Sequence, residues 1–287
     1  MLQPGQMTSA ITVRGLHKSY PSQVAVDGVD LDVEHGEVFA LLGPNGAGKT
    51  TTIEILEGHR SCDSGAVSVL GEDPGRAGDE FRARIGIVGQ SQVGALDELS
   101  VEEVVRHFAH YYPSPRDPSE LIEVVGLETK RSARVRQLSG GQRRRLDVAL
   151  GVIGNPELLF LDEPTTGFDP EARRKFWGLV RNLADIGTTV LLTTHYLDEA
   201  EALADRLAVI VDGRIAARGT PATLGERASS SATVAWQDAV GARSVRTDEP
   251  TRVVAELGRR FVGEVPGLTV SRPTLEDVYL QLIGAEA

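Results

Sequence analysis

Eight residues, Gly43-Pro44-Asn45-Gly46-Ala47-Gly48-Lys49-Thr50, set a lysine and a hydroxyl behind three glycines in the spacing G-x-x-x-x-G-K-[ST]. Glycines let a backbone turn tightly enough for its N–H groups to converge on phosphate oxygens. In such a loop Lys49 is expected to reach β- and γ-phosphates and the Thr50 hydroxyl to bind Mg²⁺. Asp162 and Glu163 stand together behind the apolar run Leu158-Leu159-Phe160-Leu161. Buried carboxylates are costly, so paired acids at the end of a buried strand point to chemistry. Asp162 could hold Mg²⁺ through its water shell and Glu163 could polarise an attacking water. Gln90 closes the run Ile85-Gly86-Ile87-Val88-Gly89, where a neutral amide could coordinate Mg²⁺ and orient water. His195 follows Thr188–Thr194 directly. It could contact a γ-phosphate, or cap the acidic helix that opens with Asp198 and Glu199. Tyr20 could stack on adenine or be an ordinary half-buried ring.

The elements around these residues suit their tasks. Val38-Phe39-Ala40-Leu41-Leu42 reads as a buried strand and Thr51-Thr52-Ile53-Glu54-Ile55-Leu56 as the first turns of a helix, the setting a phosphate loop requires. Ile11-Thr12-Val13 alternates and reads as an edge strand. Val24–Val26 and Val29–Val33 read as two strands with a turn at Asp27-Gly28, and Ala66–Leu70 as another. From about 99 to 153 the chain looks mainly helical, with Val101, Val104, Val105 and Phe108 on one face. His107 and His110 are spaced as metal ligands can be, but no carboxylate or thiol accompanies them. Ser139 and Gln142 form a capping box, so a helix begins at Leu138-Ser139-Gly140-Gly141-Gln142. Its paired glycines leave bare N–H groups, a second anion site within a basic run from Lys130 to Arg145. Asp169-Pro170-Glu171 reads as N-cap, N1 proline and first-turn acid. Asp212-Gly213 reads as a type I′ hairpin turn.

Composition limits the function. The chain has 287 residues, 41% of them hydrophobic, and a net charge of −11 with pI near 5.1. Such acidity argues against nucleic-acid binding through a basic patch. The lone cysteine, Cys62, excludes an internal disulfide and fits a reducing compartment. No apolar run approaches the 18 or so residues of a membrane span, and residues 1–9 lack a signal pattern, so a soluble intracellular chain with a disordered N-terminal tail is expected.

These motifs together, in this order, resemble the ATP-binding subunit of an ABC transporter. The resemblance covers about Ile11 to Gly219. Gly43 to Thr51 matches its P-loop, Gln90 its Q-loop, Leu138 to Gln142 its signature and Leu158 to Asp162 its Walker B strand, with Glu163 as catalytic glutamate. Asp169 matches the D-loop aspartate, His195 the switch histidine and Tyr20 the adenine-stacking aromatic. Phe168 stands where leucine is usual, and Gly89 where proline or an aromatic is common. The resemblance implies an α/β cassette of the P-loop NTPase class, with a mixed β core, an antiparallel β subdomain and a helical signature subdomain. It places the cassette at 10–224, the helical part at about 99–154, and a small α+β accessory subdomain at 225–287. Pro273–Leu280 is similar to the end of ATPases serving drug and antibiotic efflux, including the daunorubicin-resistance type. The implied activity is ATP hydrolysis with Mg²⁺ in a head-to-tail homodimer. Each site takes Lys49, Thr50, Gln90, Asp162, Glu163 and His195 from one copy, and Ser139 and Gly141 from the other. A separate permease would carry the pathway, with the ATPase peripheral on the cytoplasmic face. Export of lipid, ion or polysaccharide, or a non-transport ABC ATPase, are the alternatives.

Overall fold

The computed structural model describes residues 9–89, 96–226 and 231–284. The chain divides into two compact units between Ala216 and Ala217.

The first unit is built on a six-stranded sheet. Its strands are β3 (Val38–Leu42), β5 (Ile85–Val88), β6 (Leu158–Asp162), β7 (Thr189–Thr194), β8 (Arg206–Val211) and β9 (Arg214–Gly219), in the order β5-β6-β7-β3-β8-β9. The pairs β5–β6, β6–β7, β7–β3 and β3–β8 are parallel. Strands covered on both faces need apolar side chains on both, which explains the unbroken runs VFALL and LLFL. Leu42 pairs with Thr194, and Asp162 with Thr193. This register brings the C-terminal ends of β3, β6 and β7 level. Gly43, Glu163 and His195 therefore leave the sheet side by side.

A second, antiparallel sheet has β1 (Ser9–Tyr20) between β2 (Gln23–Glu34) and β4 (Ser64–Val69). The alternation in Ile11-Thr12-Val13 predicts an edge strand; the structure corrects this, because Ile11 pairs with Val33 on one side and Val69 on the other. Alternation reports which face is buried and is silent about edges. Asp27-Gly28 is not a turn either. It lies within continuous β2, where Gly28 at φ 70° absorbs an irregularity between the pairs Leu16–Val29 and His17–Asp27. Asp212-Gly213, with φ 47° and 77°, does make the expected I′ turn between β8 and β9. The two sites meet: Asp27 N–H donates to Gly213 O at 2.8 Å, and Arg214 holds the Asp27 carboxylate at 2.6 Å.

The P-loop helix α1 (Lys49–Leu56) and the short α2 (Asp79–Arg84) precede the helical segment. There α3 (Val101–Ala109), α4 (Pro118–Val124) and α5 (Gly140–Val152) start at Ser100, Asp117 and Ser139, each of whose side chains accepts from the first turn. Val101, Val104 and Val105 are buried as expected. His107 faces the Tyr111 hydroxyl at 3.0 Å and His110 the Arg106 carbonyl at 2.7 Å. Among the described residues no cluster of three or more His, Cys, Asp or Glu could hold a metal. Helix α6 (Pro170–Asp185) buries Phe176, Leu179, Val180 and Leu183, and α7 (Leu197–Leu203) follows β7. No described helix is long and apolar enough to cross a membrane.

The second unit holds β10 (Ala232–Asp238), β11 (Gly241–Thr247), α8 (Pro250–Arg260), β12 (Thr269–Ser271) and α9 (Leu275–Leu282), with sheet order β11-β10-β12. Thr274 and Asp277 cap α9 reciprocally, as their spacing predicts. Strand β11 has no sequence signal, because GARSVRT is exposed almost throughout and lacks an apolar period.

Candidate active site

The phosphate loop owes its shape to glycines that cannot be replaced. Gly48 sits at φ 104°, and a Cβ there would run into the Ala25 carbonyl; one on Gly43 would strike the Ile210 carbonyl. Gly46, at φ 82°, also needs the left-handed region. Helix α1 starts at Gly48 without a side-chain cap or a first-turn acid, so its positive end is bare. Pro44 and Asn45 shape the loop, where Ala47 N–H donates to Pro44 O at 3.2 Å. Lys49 is only 5% exposed. Its ammonium donates to Gly43 O at 2.8 Å and Pro44 O at 3.2 Å, so the cation is held by the loop it serves. Thr50 points outward, and Thr51 is half-buried.

Three side chains meet here, Lys49 from the start of α1, Glu163 from the end of β6 and His195 from the end of β7. Glu163 Oε1 is 3.6 Å from Lys49 Nζ and 3.3 Å from His195 Nδ1. The His195 contact lacks hydrogen-bond alignment, which leaves that buried nitrogen without a partner. Glu163 itself has φ 44°, a strained setting for a residue with a side chain. Such strain costs on the order of 1–3 kcal/mol and persists only where the surroundings impose it. Here the Glu163 N–H is pinned to Thr193 O at 3.1 Å. The Thr193 hydroxyl donates to Asp162 Oδ1 at 2.5 Å and receives the Glu163 N–H at 3.1 Å. Thr193 thus orients both acids, a role whose only sequence signal is a polar residue inside a fully buried strand. His195 is no helix cap; Tyr196 occupies the N-cap position of α7.

Arg144 is another residue that the sequence does not single out. From α5 it donates to Pro164 O at 3.0 Å, Asp162 O at 3.1 Å and Gly89 O at 2.5 Å, tying the signature helix to the ends of β5 and β6. Much of the basic run is neutralised locally: Arg134 and Arg136 grip Glu98, and Arg143 grips Asp97. Ser139 and Gln142 hydrogen-bond each other, so Ser139, Gly140, Gly141 and Gln142 begin a helix and join no P-loop group by hydrogen bond or ion pair among the described residues. The Asp169 carboxylate caps α6 through Ala172 N–H at 2.8 Å. Tyr20 is half-buried, with the Arg60 guanidinium 5.4 Å over one ring face. Gln90 lies outside the described residues.

A family model described as ABC transporter matches residues 26–166. The chain is 40% identical to the daunorubicin/doxorubicin resistance ATP-binding protein DrrA of Streptomyces peucetius, over 98% of this chain and 94% of that protein. The chain belongs to the ABC transporter family. It is also 40% identical to the Nod factor export ATP-binding protein I of Ralstonia nicotianae, over 97% of this chain and 95% of that protein. A solved dimeric, post-hydrolysis state of an ATP-binding cassette bound to ADP and Pi matches with TM-score 0.64, at 24% identity, over 73% of this chain and 98% of that one. The protein is accordingly an ATP-binding, ATP-hydrolysing subunit of an ABC transporter. Its departures from the family pattern are accommodated by contacts. Phe168 packs edge-to-face on Phe176 at 5.8 Å, and Gly89 offers its carbonyl to Arg144.

Proposed function

We propose that this ABC ATPase closes as a head-to-tail homodimer around two ATP molecules and drives a separate membrane permease that exports drugs or antibiotics. The observation that carries the hydrolytic reading is Glu163 held between Lys49 and His195 at the bare end of α1. The donors at hand for Mg²⁺ are oxygens, the Thr50 hydroxyl and the Asp162 carboxylate, as a hard cation requires. Gln90 would complete that set. Mg²⁺ would neutralise phosphate charge during transfer. Lys49 would exchange the Gly43 and Pro44 carbonyls for β- and γ-phosphate oxygens. With Lys49 engaged by the phosphates, the Glu163 carboxylate would be left to accept a proton from water. His195 would contact the γ-phosphate, and Tyr20 would stack on adenine with the ring face opposite Arg60. Ser139, Gly140, Gly141 and Gln142 of the second copy would supply the other anion site, with Asp169 at the dimer contact.

DrrA is named for daunorubicin and doxorubicin resistance, and its likeness runs through the C-terminal unit as well as the cassette. That supports drug export; the Nod factor relative, whose likeness also runs through the C-terminal unit, supports the second reading, export of a different molecule by the same motor. The ATPase works as a peripheral subunit on the cytoplasmic face. Residues 225–287 form an accessory subdomain for the dimer or the permease, and its exposed Val240, Val262 and Val270 fit a docking role.

Glu163→Gln tests the reading. ATP binding is expected within a few-fold of wild type, turnover lower by about 10²–10⁴-fold, and gel filtration with ATP and Mg²⁺ should show a trapped dimer. Hydrolysis at the wild-type rate would remove Glu163 from the base role.

A further inference from the structure

Glu199 is fully buried, although it lies on the short helix just beyond the switch histidine and takes no part in the chemistry above. A carboxyl enclosed at that cost needs partners. Three elements offer them. From α6, Trp177 Nε1 donates to Glu199 Oε1 at 3.3 Å. From the end of β7 and from the loop after β6, the hydroxyls of Thr194 and Thr165 reach toward the same carboxyl. Both threonines are fully buried. Yet Glu199 Oε2 and Thr165 Oγ1 are each enclosed without a well-formed hydrogen bond, so this bridge is held close and left incomplete.

The places it joins matter. Thr194 immediately precedes His195. Thr165 lies two residues after Glu163 and opens a turn closed by Phe168 N–H on Thr165 O at 3.1 Å, with Gly167 at φ 80°; Asp169 follows. One buried side chain thus touches both the segment carrying Glu163 and Asp169 and the segment presenting His195. The charged groups near it are Arg173, which pairs with Asp198 at 3.0 Å and lies 4.4 Å over the Tyr196 ring, and Arg144. Neither arginine hydrogen-bonds the carboxyl. We propose that Glu199 is a positioning residue for hydrolysis: wedged between Thr165, Thr194 and Trp177, it sets the placement of Glu163 relative to His195. Burial pushes the carboxyl up, consistent with an acid that works by hydrogen bonds rather than by charge. The proposal rests on Glu163 and His195 acting together in hydrolysis.

The test compares Glu199→Gln, Glu199→Met and Thr165→Val in the full chain, with Glu163→Gln alongside, by kcat, KM for ATP and thermal melting. Glu199→Gln keeps a neutral group able to accept and donate, and is expected to retain kcat within about threefold. Glu199→Met fills the same space without polar atoms. It should stay folded at the assay temperature, melting below wild type because the buried Trp177 Nε1–H loses its acceptor. Its kcat should nevertheless fall by about tenfold or more with KM little changed, the signature of misplaced groups. Thr165→Val removes one hydroxyl at constant volume and should lower kcat several-fold, an arm that stands even where Glu199→Met does not fold. The proposal is overturned if Glu199→Met and Thr165→Val both hydrolyse at the wild-type rate, or if Glu199→Gln is as impaired as Glu199→Met. A fully active Glu163→Gln would instead sink the base assignment, independently of these rates.

Discussion

Glu57 offers a test of the packing behind the active site. It follows the last residue of α1, its side chain is 7% exposed, and it faces a cavity of about 350 Å³ shared with Phe81, Phe108, Tyr112 and Asp147. Burial, with help from the charges of Asp162 and Glu54, pushes its carboxyl from 4.5 up to about 8. The sign follows. Below pH 4.5 the acid is protonated in both folded and unfolded chains. As pH rises, the unfolded chain releases its proton first, while the folded chain keeps it to about 8. Stability contributed by the neutral, buried acid is therefore present below 4.5 and lost as pH climbs through 8. At 1.36 kcal/mol per pH unit, the gap from 4.5 to about 8 sets a ceiling of about 5 kcal/mol. The His59 imidazole, 3.3 Å from Glu57, reduces that figure wherever it is charged. Glu57→Gln replaces the acid with a neutral amide of the same size and should abolish the loss. At pH 8.5 it is expected to exceed wild type by about 2–5 kcal/mol, or roughly 4–15 °C in melting temperature. Calorimetry at about pH 5.5 and 8.5, without nucleotide, reads the difference directly; groups titrating elsewhere cancel between the two proteins. Equal loss of melting temperature in variant and wild type would show that Glu57 is not held neutral and that the linkage argument is wrong.

Two further outcomes follow from the nucleotide site and the second unit. Tyr20→Ala should weaken ATP and GTP binding by similar factors, about 1–3 kcal/mol each, because a stacked ring reads a π-face rather than base edges; unchanged ATP affinity in a fluorescence titration would leave Tyr20 as packing under Arg60. A chain ending at Leu224 should bind ATP within about threefold of the full protein, since such a change is under 1 kcal/mol and every site residue named above precedes it. It should be recovered less well with membranes when a permease is co-expressed, and loss of ATP binding by a still-folded truncated chain would put the tail in the active site.

Motifs defined by local backbone chemistry were the legible part of this molecule. Ser139 with Gln142, Thr274 with Asp277, and Asp169 with Pro170 each satisfy a helix start within four residues, so spacing alone predicts them. The P-loop glycines belong to the same class at Gly46 and Gly48, whose positive φ is a local demand. Strand-pairing partners were less legible. Asp-Gly occurs at 27–28 and at 212–213, yet only the second turns the chain. Nothing within either dipeptide distinguishes them; the difference is that β1 continues opposite Asp27, so leaving the strand there would strand its ladder hydrogen bonds.

The site shows why chemistry-bearing residues can be named before their geometry can. Lys49, Glu163 and His195 are separated by 114 and 32 positions; Lys49 reads as the end of a glycine loop, and Glu163 and His195 each as a residue at a strand end. They meet because β7 lies between β6 and β3, an order that the sequence of elements does not contain. Once that order is given, two register pairs, Leu42–Thr194 and Asp162–Thr193, level the strand ends, and with the loop between β3 and α1 they bring both Lys49 and His195 within ion-pair distance of Glu163. The same order also decides which polar residues are spent on support. Thr193 and Glu199 have no motif, because their partners come from other elements; burial is what marks them, and burial is a property of the folded sheet. A catalytic residue must face substrate and tolerates few substitutes, so its type and neighbours are distinctive. A supporting residue must only complete a hydrogen bond in a dry place, and the place exists only after the strands have paired.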